Sequence, residues 1–299
     1  MFNLIKKAAK NERENVAAII ASQIPTATDR LITGTIPVSE NGELAMDVYS
    51  PHIPPSEKAP IIIDVHGGGL IAGRKEQNRN LGIFFANQGY LTFVPDYRLV
   101  PETNIFGQIS DILRAFDMVY RVAARFRGDL NQVFVVADSA GAFLAAQAYA
   151  VAQCPNAMRE LLDELDMSPP AGARKLHVQA MGLQSGVFSI HRGKVGLLAN
   201  DYMKRGWRKK AYAPYIYPEN YSRFLPATYL ITSDGDFLKR DSVVFSKFLR
   251  QNWYIPNQLE IIPDKSVKHA DTALHPETEY ATMANLAMLS FFKKSLEDS

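Results

Sequence analysis

Val133-Phe134-Val135-Val136-Ala137-Asp138-Ser139-Ala140-Gly141 is an apolar, β-branched run that meets a stretch of small residues at a serine. Residues 132–137 have the composition of a strand covered on both faces. Residues 140–153 (AGAFLAAQAYAVAQ) read as a small-residue-rich helix. A strand that turns at once into a helix holds the side chain at the turn above the sheet, away from competing backbone bonds. The helix N-terminus beside it favours developing negative charge. A serine at that point is a candidate nucleophile. The turn is crowded, so the residues two before and two after must be small, and here they are Ala137 and Gly141. The usual pattern is G-x-S-x-G, from which this chain departs at the first glycine. Taken alone, the pentapeptide reads equally well as a plain helix start with Asp138 or Ser139 as N-cap.

Strand-like and helix-like segments alternate on either side. Residues 42–49 and 60–65 read as strands, followed by a helix near 76–88 and a strand at 90–95. A helical segment runs from about Gln108 to Arg125, with Ile112, Ala115, Phe116 and Val119 at helical spacing and Asp111 and Arg114 on the polar side. Beyond residue 175, three more strands are expected within 175–186, 226–234 and 258–263. One helix at 241–251 separates the last two, and another at about 277–295 follows. The repeated alternation predicts an α/β fold over 1–299, a mostly parallel sheet with helices on both faces. Residues 1–35 and about 187–225 break the rhythm and are expected to form a small cap. The second holds Tyr202, Trp207, Tyr212, Tyr215, Tyr217, Tyr221 and Phe224, whose apolar bodies and polar tips suit a pocket mouth. The charges of residues 204–210 (KRGWRKK) read as a solvated surface run.

Composition narrows the function classes. In 299 residues, 33 Lys and Arg against 31 Asp and Glu leave a formal charge of +2, too little to attract nucleic acid or an anionic membrane. Cys154 is the only cysteine, so no intramolecular disulfide forms. No window approaches the ~18 apolar residues of a membrane span. The charged N-terminal stretch lacks the apolar core of a secretory leader. A cytoplasmic protein is expected, and a homodimer is compatible with everything above. No His/Cys/Asp cluster has metal-ligand spacing, so neither metal nor cofactor is expected.

A second motif supports the serine. His66-Gly67-Gly68-Gly69-Leu70 follows the buried run at 60–65 directly. Consecutive glycines leave backbone N–H groups free to face a ligand. Such donors can stabilise a tetrahedral oxyanion as it forms, each at about 2.7–4 kcal/mol. The N–H groups of Gly67, Gly68 and Ala140 are the expected set. The loop lacks the Lys-Ser/Thr of a P-loop and the G-x-G-x-x-G spacing of a dinucleotide site.

HGGGL, then Asp96-Tyr97-Arg98-Leu99-Val100-Pro101-Glu102, then the DSAG of the elbow resemble the hormone-sensitive-lipase-like esterases of the α/β-hydrolase superfamily, in the right order over roughly 43–295. The resemblance implies hydrolysis of esters with short or medium acyl groups, a cap over the site and no cofactor. It implies structural roles for Tyr97 and Arg98, and for Glu102 a role buttressing the oxyanion loop. The fold's chain order is Ser, then Asp or Glu, then His. The family's D-x-L-x-x-[DE] motif maps onto residues 236–241 and selects Asp236 as the acid, with Asp234 second; Asp241 is read as charging the next helix. By location either His269 or His275 could be the base, and the family pattern selects His269, with Asp271 where that pattern has phenylalanine. His66 is expected to brace the oxyanion loop, and His52, His177 and His191 have no motif around them.

The expected activity is therefore that of a serine carboxylesterase with a Ser139–His269–Asp236 triad acting on a small ester. The same residues would serve an amidase, formamidase or peptidase. A non-catalytic ligand-binding protein on this fold is the rival of a different class, favoured by Ala137 and by the altered surroundings of His269.

Overall fold

The apolar runs at 60–65 and 132–137 become neighbouring strands at the centre of an eight-stranded sheet. In this computed structural model, the described residues are 2–23, 32–39, 42, 44–189 and 206–297. In chain order the elements are α1 (Phe2–Ser22), β1 (Ile32–Pro37), β2 (Ala45–Ser50), β3 (Ala59–Val65), α2 (Arg79–Asn87), β4 (Leu91–Pro95), α3 (Ile105–Val122), β5 (Gly128–Asp138), α4 (Ser139–Gln153), α5 (Pro155–Leu165), β6 (Val178–Gln184), β7 (Ala227–Ser233), α6 (Lys239–Phe248), β8 (Asn257–Ile262), α7 (Asp271–Leu274) and α8 (Glu279–Glu297). The sheet order is β1-β2-β4-β3-β5-β6-β7-β8. β1–β2 and β2–β4 are antiparallel, and every other pair is parallel.

Alternation along the strands divides the core in two. Ile61, Ile63, Val133 and Val135 pack with residues of α3, α4 and α5, whereas Ile62, Phe134 and Val136 pack with Phe85 of α2 and with Met288 and Phe292 of α8. α4 lies within this packing, with Ser139 through Ala152 all buried. Its alanines let it approach the sheet closely.

α5, β1 and the one-turn α7 are absent from the strand and helix alternation expected from the sequence. α5 begins with Pro155 at its first turn and buries Ala157, Met158, Leu161 and Leu162, a helical stripe that was legible. β1 takes the end of the N-terminal segment expected in the cap and pairs Ile32 through Pro37 with β2, so those residues belong to the sheet edge. Within 187–225, residues 190–205, and with them Tyr202 and His191, lie outside the described residues. Trp207, Tyr212 and Tyr221 are buried in the main core rather than set at a pocket mouth. Their polar tips explain how: Tyr212 donates to Gln147 Oε1 at 3.0 Å and Tyr221 to the Phe188 carbonyl at 3.2 Å, so burial leaves neither hydroxyl unpaired. Arg208 and Lys209 are exposed. Among the described residues, no helix is long and apolar enough to cross a membrane.

Candidate active site

β3, β5, β7 and β8 run parallel, so the segments that follow them open at one edge of the sheet. This is the carboxyl edge, where open α/β sheets hold their ligands. At the end of β5 the chain passes from extended Asp138 to Ser139 at φ +49°, a left-handed conformation that a serine adopts only when its surroundings impose it. Gly141 explains the imposition. A Cβ there would collide with the backbone carbonyls of Val65 and His66, because the first turn of α4 lies directly on the end of β3. Ala137 is fully buried in register with Val65 and Leu183, and its methyl is accommodated in the sheet. The two small positions of the motif are thus unequal, and only the second is pressed against backbone. Gly141→Ala should lower stability by about 1–3 kcal/mol, a Tm drop of about 2–4 °C per kcal/mol, whereas Ala137→Gly should cost under about 1 kcal/mol. Thermal melts of the two variants, side by side, check the contrast.

The elbow serine meets residues far along the chain. His269 Nε2 lies 2.8 Å from Ser139 Oγ, and His269 Nδ1 lies 2.8 Å from Asp236 Oδ1. Asp236 Oδ1 also accepts the Leu238 N–H at 2.8 Å, and its Oδ2 accepts the Thr232 hydroxyl at 2.9 Å. Burial works against the ionised carboxylate, but the hydrogen bonds from His269 and Leu238 outweigh it and hold the Asp236 pKa below its usual value. Asp234 instead pairs with Lys239 at 2.6 Å, and Asp241 accepts the Phe188 N–H at 3.1 Å. His275 faces Glu277 at 3.6 Å. His52 and His177 are exposed.

A buried polar cluster that the sequence did not reveal fixes the His269 loop. Ala270 donates its N–H to Ser185 Oγ at 3.0 Å. Thr272 donates to Gln184 Oε1, Gln184 donates to Asn285 Oδ1, and Asn285 returns a bond to the Thr272 carbonyl. β6, α7 and α8 are so joined just beyond the histidine.

The glycine loop after β3 differs from expectation at one donor. The Gly67 N–H is given to Asp138 Oδ1 at 3.0 Å, so it is not free for an oxyanion. Asp138, the residue before the serine, therefore ties the elbow to the loop instead of capping α4. Asn78 Nδ2 reaches both Asp138 Oδ1 at 3.1 Å and Asp64 Oδ1 at 3.0 Å, and burial raises the pKa of both carboxyls. Gly68 has φ +110°, and a Cβ on it would strike the Ala72 carbonyl; its own carbonyl accepts the N–H groups of Ile71 and Ala72. Only glycine suits that turn.

His66 braces this loop. Its Nδ1 lies 2.8 Å from the Gly67 carbonyl, which can only accept, so Nδ1 carries the proton. Burial pushes the ring's pKa down, and the ring stacks on Tyr97 at 4.3 Å. Tyr97 donates its hydroxyl to the His66 carbonyl at 2.9 Å, and Arg98 grips Asp111 of α3 with two side-chain bonds. Glu102 acts at one remove. It pairs with Arg13 of α1 at 2.9 Å, and Arg13 Nε donates to the Ile71 carbonyl at 2.9 Å. The buttress implied for Glu102 thus passes through the N-terminal helix.

Comparison with known proteins agrees with this fold. Residues 46–192, just under half the chain, match the BD-FAE family model. Esterase B of Lactobacillus rhamnosis, inhibited by a tributyrin phosphonate, superposes with a TM-score of 0.83 over 99% of this chain and 95% of its own, at 22% identity. A bacterial heroin esterase gives 0.70 over 99% and 93%, at 18% identity. The chain has the α/β-hydrolase fold of these esterases. Among curated relatives, this chain is 33% identical over 101 residues to a probable isoprenylcysteine alpha-carbonyl methylesterase of Oryza sativa subsp. japonica, covering 34% of this chain and 24% of that protein. It is 27% identical over 157 residues to the phenmedipham hydrolase of Pseudarthrobacter oxydans, covering 50% and 31%. It thus spans about a quarter to a third of the length of these relatives. Its HGGG, DYRLVPE and DSAG motifs follow the hormone-sensitive-lipase-like order.

Proposed function

We propose that this α/β-hydrolase is a serine carboxylesterase acting on esters with short acyl groups. The observation that carries the reading is the continuous pair of 2.8 Å hydrogen bonds from Ser139 through His269 to Asp236. In the proposed reaction, neutral His269 accepts the Ser139 proton at Nε2 as Oγ attacks the ester carbonyl, and Asp236 stabilises the imidazolium through Nδ1. With Gly67 committed to Asp138, the oxyanion is taken by the N–H groups of Gly68, Gly69 and Ala140. Ala140 sits in the first turn of α4, where backbone N–H groups have no intrahelical acceptor. Collapse returns the Nε2 proton to the leaving alcohol, and water deprotonated by His269 then releases the acid. The tributyrin phosphonate on esterase B of Lactobacillus rhamnosis supports short acyl groups. The segments flanking 190–205, together with α1, form the proposed cap, for which the Arg13–Ile71 bond speaks.

A fluorophosphonate tests the proposed nucleophile directly. Ser139 Oγ should displace fluoride and leave a phosphonyl adduct, located by peptide mass spectrometry, that Ser139→Ala abolishes. An unlabelled chain would sink the esterase reading in favour of a binding protein. Asp138→Ala should leave the Gly67 N–H without its acceptor, a cost of about 1–3 kcal/mol. The loosened loop should lower kcat/KM on p-nitrophenyl acetate by about 5- to 150-fold, against little change in Ala137→Gly.

A further inference from the structure

Phe237 follows the triad acid directly and stands 77% exposed, although it is a large apolar side chain. Its ring centroid is 4.4 Å from that of His269, the planes tilted by 40°. Its neighbours along the chain are committed elsewhere. The Leu238 N–H is given to Asp236, and Lys239 is paired with Asp234. The ion pair leaves Lys239 engaged with Asp234 rather than offered to a charged alcohol.

On the esterase reading, on which this inference rests, the chemistry decides which half of the substrate comes here. His269 Nε2 must give its proton to the departing alcohol oxygen, which brings that oxygen within about 2.6–3.2 Å of the ring. Whatever hangs on the oxygen then lies beside the imidazole. The acyl chain leaves the carbonyl carbon in another direction and stays on Ser139 after the alcohol has gone. An exposed phenyl ring against the histidine is therefore a surface for the alcohol and not for the acid. We infer that the alcohol moiety packs on Phe237, and that the enzyme prefers esters of apolar alcohols, longer alkyl or aryl over methyl.

The alcohol leaves in the acylation step, so kcat/KM reports its contacts even when deacylation limits kcat. With methyl, ethyl, propyl and butyl acetates followed by pH-stat, kcat/KM of the parent chain should rise by roughly fourfold for each CH2 that becomes buried. Phe237→Ala should flatten this series relative to its own methyl acetate rate, and Phe237→Leu should restore most of the slope. In the converse series, methyl acetate to methyl hexanoate, the slope should be the same in parent and Phe237→Ala. A purely structural effect on His269 would lower every ester alike and leave both slopes standing, and that outcome overturns the inference. Flattening of the acyl series instead assigns Phe237 to the acid side and overturns it too. A flat alcohol series in a parent chain whose hydrolysis is lost in Ser139→Ala defeats this inference alone. No hydrolysis of any ester by the parent defeats the esterase reading as well.

Discussion

Ser139→Ala should lower kcat for p-nitrophenyl butyrate by a factor on the order of 10⁶, with KM little changed. The size follows from the arrangement. In the proposed reaction Oγ is the only protein atom that bonds to the acyl carbon, and His269 Nε2 is already 2.8 Å from it. Removing Oγ leaves the histidine without a proton to take and the carbonyl without a nucleophile, while the glycine loop still binds. Residual hydrolysis would come from oxyanion stabilisation and binding alone. Ser139 is buried, and alanine removes one hydroxyl, so the fold should be kept and the thermal melt should overlay that of the parent. A variant that melts normally and still turns over at a tenth of the parent rate would remove Ser139 from the mechanism.

Asp236→Asn should cost a factor on the order of 10³ in kcat, and the argument depends on the partners of the carboxyl. Leu238 N–H and His269 Nδ1 both point at Oδ1, and both are donors when the imidazole is set to attack. An asparagine satisfies them only with its oxygen in the Oδ1 position, leaving its NH2 toward the Thr232 hydroxyl, which can rotate to accept. The histidine tautomer is then preserved. What disappears is the negative charge opposite the imidazolium, about 4 kcal/mol for charges ~4 Å apart in a partly buried site. Asp234→Asn, which breaks only an exposed pair with Lys239, should leave kcat near the parent value. The reverse ranking would transfer the acid's role to Asp234. A second readout is stability. The folded Asp236 pKa is depressed, so its ionised form stabilises the fold above the ordinary carboxylate range, and this is lost as pH falls through the depressed value. The parent and Asp236→Asn Tm curves should therefore converge in acid and separate toward neutral pH.

The parts of the site legible in the sequence are those that depend on near neighbours. The elbow is a local event, a strand that becomes a helix within two residues. The glycine loop follows its strand directly, and the α/β rhythm is a matter of periodicity. Selecting among Asp234, Asp236 and Asp241, or between His269 and His275, was different. Location left these open, and the family pattern made the choice. In the structure, His269 reaches Ser139 and Asp236 reaches His269, while the others pair locally or with Phe188. The Gly67 donor shows the same limit. Nothing in HGGG says that its first N–H will be taken by a carboxylate 71 residues later.

The aromatic residues of 207–224 fail for a related reason. Tyrosine and tryptophan suit a wet pocket mouth and a buried position with one partner equally well. Gln147 and the Phe188 carbonyl, which supply those partners, are distant in sequence. Sequence alone determined the order of the strands from β2 to β8 along the chain, the turn at Ser139 and the glycine loop, because backbone preference and steric crowding act over a few residues. Tertiary structure alone decided which carboxylate and imidazole stand in line with Ser139, a choice that location along the chain left open, which loop donor is spent on Asp138 and which aromatics are core. Each of these is a hydrogen bond between side chains or loops brought together only when eight strands are ordered in one sheet.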